Sequence, residues 1–141
     1  MAEIVPLSAE YLDEVTALDA EIFPQSPWGK SAFQSNVRND FDHPLVALED
    51  GKVIGYGILR QIDDGEILLL GVAPGRRQQG LGRRIVDALL ELCDRKAGVF
   101  LEVREGNGAA RKLYESAGFA EIARRRNYYK DPQEDAVIMK I

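Results

Sequence analysis

The sequence predicts an α/β domain (α+β in the finer division): a mixed, mostly antiparallel sheet of six to seven strands flanked by about four helices. Three observations carry that expectation. In the first half, short apolar runs follow one another across turn residues, as antiparallel strands do. In the second half, helical periodicities separate the strands, as crossovers do. The 141 residues are 45% hydrophobic and 29% charged, which gives one ordinary domain core enough to fold alone. Residues 1–141 are therefore read as a single domain.

Ile4-Val5-Pro6-Leu7 reads as a short first strand. Ser8 supplies a helix N-cap and Glu10 a first-turn acid, and Tyr11, Val15, Leu18 and Ile22 recur at helical spacing. Pro24 and Pro27 break that helix; Trp28 opens a shorter one with Phe33 and Val37, ending before Asn39-Asp40. Leu45–Leu48, the turn signal Asp50-Gly51 and Val53–Leu59 make a hairpin. Asp63-Asp64-Gly65 turns the chain into Glu66–Val72, an apolar run suited to a central strand. Gly80 to Lys96 reads as a helix with Ile85, Leu89 and Leu92 on one face, stopped by Gly98. Val99–Val103 is the next strand, and Asn107 caps a helix holding Ala110, Leu113 and Tyr114, with Gly118 at its C′ position. A final hairpin closes the chain near Phe119–Tyr128 and Ala136–Ile141.

Composition excludes several kinds of chemistry. Cys93 is the only cysteine and His43, followed by Pro44, the only histidine, so neither a disulfide framework nor a Cys/His metal site is expected. No apolar run reaches membrane-spanning length, and the acidic start, with Glu3 and Glu10, does not read as a signal peptide. A cytoplasmic setting without a membrane partner follows as the expectation. The net charge of −5 argues against direct nucleic-acid binding. Its distribution is uneven: residues 1–70 carry 4 basic and 13 acidic side chains, residues 71–141 carry 14 and 10. An anionic ligand favours the second half and a cationic one the first.

The stretch from Val72 to Arg83 joins a central strand to a helix N-terminus through residues that permit close backbone approach. Unpaired N–H groups and the positive dipole end at such a terminus suit a phosphate. Gly80 and Gly82 remove side chains that would hold an anion away, while Arg76, Arg77, Arg83 and Arg84 add charge. A P-loop is excluded because no Gly-Lys-Ser/Thr ending is present. The dinucleotide fingerprint is excluded because its third glycine is absent. What remains is Arg77-Gln78-Gln79-Gly80-Leu81-Gly82, preceded by Val72-x-Pro74.

That arrangement resembles the acetyl-CoA loop of the GNAT family of N-acetyltransferases, in which main-chain amides hold the CoA diphosphate. Leu101-Glu102-Val103-Arg104-Glu105-Gly106-Asn107, with Leu113-Tyr114-Glu115, resembles the family's second cofactor segment. The resemblance implies a GNAT fold whose sheet splays between the fourth and fifth strands to admit the cofactor arm. It assigns Arg77, Gln78, Gln79, Gly80, Leu81, Gly82 and Arg83 to the diphosphate, Asn107 to the pantetheine arm, and Tyr114 to the thioester sulfur. Ile22-Phe23-Pro24, Pro27-Trp28, Arg126-Asn127-Tyr128-Tyr129 and Glu134–Met139 are similar to the family's ribosomal-protein alanine N-acetyltransferase branch. The implied partners are acetyl-CoA as co-substrate and the N-terminal peptide of a small-subunit ribosomal protein, met by a monomer. Leu69 departs from relatives that carry Thr or Asn there.

Acetyl transfer needs an unprotonated amine. A terminal α-amine, with a pKa of about 7.7–8.0, asks only a modest base. Glu102, at a strand end, is the candidate, acting directly or through one water; pairing with Arg104 or Arg125 is its structural alternative. Amides at Leu70 and Val72 would receive the tetrahedral oxyanion. Gly71 fits a bulge or a close approach there. Tyr114 would give the leaving thiolate its proton, unless it is simply a core tyrosine. Cys93, deep in an apolar helix, reads as packing, so transfer is expected to be direct, within a ternary complex. Phe23, Trp28, Tyr128 and Tyr129 are the candidates for the peptide entrance, though Phe23 and Trp28 serve equally well as core anchors. Asp19, Glu21, Asp40 and Asp42 offer an attraction for a basic peptide, and Glu134-Asp135 is expected to bond near Arg125 or Arg126. Transfer to a lysine, a polyamine or another small amine, and a non-catalytic acyl-CoA-binding module, are the alternative functions.

Overall fold

The computed structural model describes residues 2–94 and 96–141. In chain order its elements are β1 (Glu3–Pro6), α1 (Leu12–Ile22), α2 (Lys30–Arg38), β2 (Asp42–Glu49), β3 (Lys52–Gln61), β4 (Gly65–Val72), α3 (Leu81–Leu92), β5 (Val99–Arg104), α4 (Gly108–Ser116), β6 (Ala120–Tyr129) and β7 (Glu134–Lys140). The strands form one seven-stranded sheet in the order β1-β2-β3-β4-β5-β7-β6. Only β4 and β5 run parallel; the other neighbours are antiparallel. This is the mixed sheet with four α-helices that the sequence predicts. The final hairpin doubles back so that β7, not β6, lies against β5.

Alternation along the strands sorts the core into two layers. Leu45, Ala47, Leu59, Ile67, Leu101 and Val103 face α3 and α4, where Ile85, Val86, Leu89 and Tyr114 meet them. Val46, Tyr56 and Ile58 face α1 and α2, against Val15, Leu18 and Phe33. Ile85, Leu89 and Phe33 are each 0% exposed, and burial of such side chains contributes about 1.5–3 kcal/mol apiece. Helix α3 can lie this close because Gly57 has no side chain; a Cβ there would stand 2.7 Å from Ile85 and 2.9 Å from Leu89. Among the described residues the second layer contains none from β5, β6 or β7. Phe100, Glu102 and Arg104 therefore reach a face that no helix covers, and all three stay half-buried.

Local chemistry corrects several expectations. Ser8 makes no side-chain cap; the chain first forms a 3₁₀ turn over Ala9–Tyr11, and α1 starts at Leu12. Trp28 lies outside α2, since its main-chain N–H is taken by the Asp19 carboxylate and Gly29, at φ 87°, starts the helix. Helix α3 ends at Leu92 rather than Lys96. Asp94 accepts the Lys96 N–H at 3.1 Å and gives its own to Gln61, a local alternative to helical bonding. Arg95, within the expected span, lies outside the described residues. Gly98, at φ 84°, turns the chain into β5 rather than capping α3, and Leu92 is exposed. The Asp50-Gly51 turn (φ 51° and 76°), the Asn107 cap and Gly118 at C′ (φ 108°) stand as expected.

Candidate active site

Strands β4 and β5 pair only over Gly65–Ile67 and Val99–Leu101. The next residue, Leu68, is the extra residue of a bulge, because Leu69 pairs with Ile58 and Ile67 with Leu59. The bulge is therefore at Leu68 rather than Gly71. Gly71 serves the close approach instead: a Cβ there would clash with the ring edge and hydroxyl of Tyr56. Beyond Leu68 the two strands part.

The phase of the ladder decides which amides face the opening. Ala73 donates its N–H to Ile54 on β3 at 2.9 Å. Antiparallel partners alternate between bonded and non-bonded pairs, so the Leu69 and Gly71 amides also turn toward β3. Those of Leu70 and Val72 turn the other way, into the gap.

A cavity of about 600 Å³ begins at that gap. Leu70, Gly71 and Val72 form one wall, and Arg76, Arg77, Gln78, Gly80 and Gly82 a second. Asn107, Ala110, Lys112 and Leu113 of α4 form a third, and Ile22 and Phe23 from the end of α1 close it. Gln78 and Gly80 both take positive φ (63° and 81°), which curls the loop before α3. The first bond to Gly80 as acceptor comes from the Arg84 N–H, so the amides of Leu81, Gly82 and Arg83 have no intrahelical acceptor. Nothing lies within 4 Å of where a Gly80 Cβ would point. Open amides, a positive helix end and flanking cations suit a diphosphate; the apolar stretch between Leu70 and Leu113 suits an uncharged arm.

Other sequence candidates lie elsewhere. The Leu81 side chain is core, and Arg83 is held by Asp87 at 3.0 Å and the Ser116 carbonyl at 2.8 Å. Gln79 is exposed and does not line the cavity. Asn107 caps α4, its Oδ1 accepting the Ala110 N–H at 3.2 Å, and lines the cavity as well. Tyr114 is buried against Phe119 at 5.8 Å and is not part of the cavity wall; burial, and then the charge of Tyr129, pushes its phenol well above the ordinary value. Half-buried Trp28 is anchored, its indole N–H donating to Asn36 at 3.1 Å. Cys93 packs at the edge of the core, its thiol 3.1 Å from the Leu90 carbonyl.

Glu102 projects from β5 to the uncovered face, opposite the layer that holds Tyr114. The two side chains therefore lie on opposite faces of the sheet. Arg125 Nε stands 3.4 Å from Glu102 Oε1, in an ion pair with the carboxylate side chain 20% exposed. Tyr129 is close by, its phenol pushed up to about 12 by burial and then by the Glu102 charge. Arg104 stacks over the Tyr129 ring at 4.5 Å and Arg125 over the exposed Tyr128 ring at 5.3 Å.

Two electrostatic expectations are corrected. Asp19 and Asp42 are buried rather than displayed: Asp19 accepts from Tyr56 and Trp28, Asp42 from Arg60 and Asn36. Glu134 pairs with Arg104 at 3.2 Å and accepts the Gly106 N–H, away from Arg125 and Arg126, while Asp135 accepts the Asn127 N–H at 2.9 Å, next to Arg126 as expected. Sequence reasoning missed Lys112, which lines the cavity, and Tyr56, whose ring Gly71 approaches.

The model of the Acetyltransferase (GNAT) family matches residues 9–119. A Bacillus subtilis protein, assigned provisionally as a [ribosomal protein bS18]-alanine N-acetyltransferase, is 37% identical over 98% of this chain and 93% of its own. The [ribosomal protein bS18]-alanine N-acetyltransferase of Escherichia coli K12 is 36% identical over 82% of this chain and 80% of its own. The crystal structure of the Escherichia coli ribosomal-protein-S18-alanine N-acetyltransferase superposes with a TM-score of 0.87 at 31% identity, covering 100% of this chain and 93% of that one.

Proposed function

Since the chain belongs to the acetyltransferase (GNAT) family, we propose that it transfers the acetyl group of acetyl-CoA to the N-terminal α-amine of a protein, the N-terminal alanine of ribosomal protein bS18 being the substrate. The observation that carries this reading is the gap between β4 and β5, with a cavity on one side and Glu102 on the other. Similarity to relatives of that activity along nearly the whole chain supports the choice of acceptor.

In this reading one domain and one chain hold every group required. The amides of Leu81, Gly82 and Arg83 take the diphosphate, with Arg77, Gln78 and Lys112 around it and Arg76 tied to Glu49 at 2.6 Å. Pantetheine runs past Asn107, Ala110 and Leu113 to the gap. The acceptor arrives over the uncovered face beside Glu102, Tyr128 and Tyr129, with Phe23 at the cavity's α1 wall. Glu102 removes the ammonium proton, directly or through a water. The neutral nitrogen attacks the thioester carbonyl, and the Leu70 and Val72 N–H groups receive the oxyanion. As the carbon–sulfur bond breaks, the thiolate takes a proton from Tyr114; burial raises that phenol and opposes the transfer, so placement at the sulfur has to offset it, and solvent then returns the proton to Tyr114. The amide nitrogen loses its second proton to solvent, and no acyl-enzyme intervenes.

The test is incubation with acetyl-CoA and a peptide beginning with alanine, then weighing the product. One added acetyl group is expected, and none on a copy whose N-terminus is blocked but whose lysines are intact. Acetylation of the blocked copy rejects the α-amine assignment.

A further inference from the structure

Arg104 ends β5, two positions past Glu102 and on the same uncovered face. Its guanidinium gathers the turn between β6 and β7. Nη1 donates to the Pro132 carbonyl at 3.0 Å and to the Glu134 carboxylate at 3.2 Å, and Nη2 donates to the Lys130 carbonyl at 3.1 Å. The same planar group lies over the Tyr129 ring at 4.5 Å. Packing does not hold this turn: among the described residues neither core layer takes a side chain from residues 128–135, and residues 130–133 are exposed. The bonds of Asp135 to Glu105 and Asn127 fasten only the strands below the tip. Tyr129 is thereby set beside Glu102, close enough that the Glu102 charge adds to burial in raising its phenol.

We propose that Arg104 is a positioning residue for the acceptor: by fastening the β6–β7 turn it keeps Tyr129 beside Glu102 as a preformed wall for the incoming peptide. This rests on the N-terminal acetyltransferase reading above. Arg104 itself touches neither the acceptor nor the reacting atoms, since its donors are spent on the turn. Two carbonyls, a carboxylate and a ring face are served at once by a flat fork; the ammonium of a lysine is a point charge and cannot serve them together. Without the fork the peptide has to order the turn as it binds. Its apparent affinity then falls in proportion to the fraction of molecules in which the turn is already formed.

The experiment compares the unmodified enzyme with R104K and R104Q on an alanine-starting peptide, and follows hydrogen exchange of the turn amides in the same three proteins. In both variants these amides are expected to exchange faster and the peptide KM to rise about tenfold, as for a turn formed in one molecule in ten. The acetyl-CoA KM should change little, and kcat at saturating peptide should fall by less than the KM rises. R104K keeps the charge and loses the fork, so it should recover at most part of the defect. If R104Q does not fold, R104K decides by the same comparison. An unchanged peptide KM overturns the proposal whatever happens to the melting temperature, because the contacts are then structural only. Full recovery in R104K overturns it as well, since charge alone would suffice. So do equal rises in the peptide and acetyl-CoA KM, which mark a general loosening of the site. Failure of the unmodified enzyme to acetylate the peptide overturns the reading of the reaction itself, and this inference with it.

Discussion

The Tyr56 hydroxyl donates to Oδ1 of Asp19 at 2.6 Å, in a part of the core where Tyr56 is 1% and Asp19 0% exposed. The other carboxylate oxygen of Asp19 accepts the Trp28 N–H, so one buried charge ties α1, the segment before α2 and β3 together. The Tyr56 ring meanwhile lies where a side chain on Gly71 would be. A single side chain thus supports both the helix end carrying Phe23 and the strand whose amides face the gap.

Tyr56→Phe keeps the ring and removes one of the two donors to a buried carboxylate. Stability should fall by about 1–3 kcal/mol, the cost of leaving such an acceptor short, read from urea unfolding. An unchanged midpoint would show that Asp19 finds water or another donor.

Such a network is invisible in the sequence, where Asp19 looks like any acid on a helix. The hairpin at Asp50-Gly51, the Asn107 cap and the Gly80-Leu81-Gly82 loop were legible because each follows from the chemistry of its own few residues. The bulge at Leu68 was not: Ile67-Leu68-Leu69-Leu70 offers no alternation to mark an extra residue. The early end of α3 depends on Asp94 reaching Lys96 and Gln61, the second of them distant in sequence. The Arg60–Asp42 and Arg104–Glu134 pairs join different strands, so the sequence supplied the charges without their partners.

Gly82 separates loop geometry from core packing. A Cβ there would stand 3.0 Å from Leu113 and 3.6 Å from Val72, both on the cavity wall. Gly82→Val therefore fills the space between α3 and α4 where the cofactor would lie. The acetyl-CoA KM should rise at least about tenfold while the fold survives, since overpacking typically costs about 1–3 kcal/mol. Equal CoA affinity by titration would refute the placement of the diphosphate.

Glu102 and Tyr114 lie on opposite faces of the sheet, and their loss should separate by effect. Glu102→Gln should lower kcat by roughly 10²–10⁴-fold, the usual range for a general base, shift the pH–rate profile, and leave acetyl-CoA binding intact. Tyr114→Phe removes a proton donor and keeps the packing against Phe119, so kcat should fall without a loss of fold. An unchanged pH profile in the first variant, or full turnover in the second, dismisses the assigned role.

Asp42 provides a pH-dependent control remote from the reaction. Burial pushes its carboxyl up, but the hydrogen bonds from Arg60 and Asn36, with the Arg60 charge, outweigh burial and hold it below the ordinary value. A carboxyl whose pKa is lowered by folding contributes stability above the unfolded pKa of about 3.9, and that contribution is lost as pH falls through the folded value. Asp42→Asn should thus cost about 2 kcal/mol near neutral pH, within the range for hydrogen bonds to a charged group. The cost is partial because Arg60 is 38% exposed and can be hydrated once its partner is gone. The deficit should shrink below about pH 4 and nearly vanish where the wild-type carboxyl is also protonated. Parallel stability curves for the two proteins from neutral to acid would show that the Arg60–Asp42 pair does not govern the acid limb.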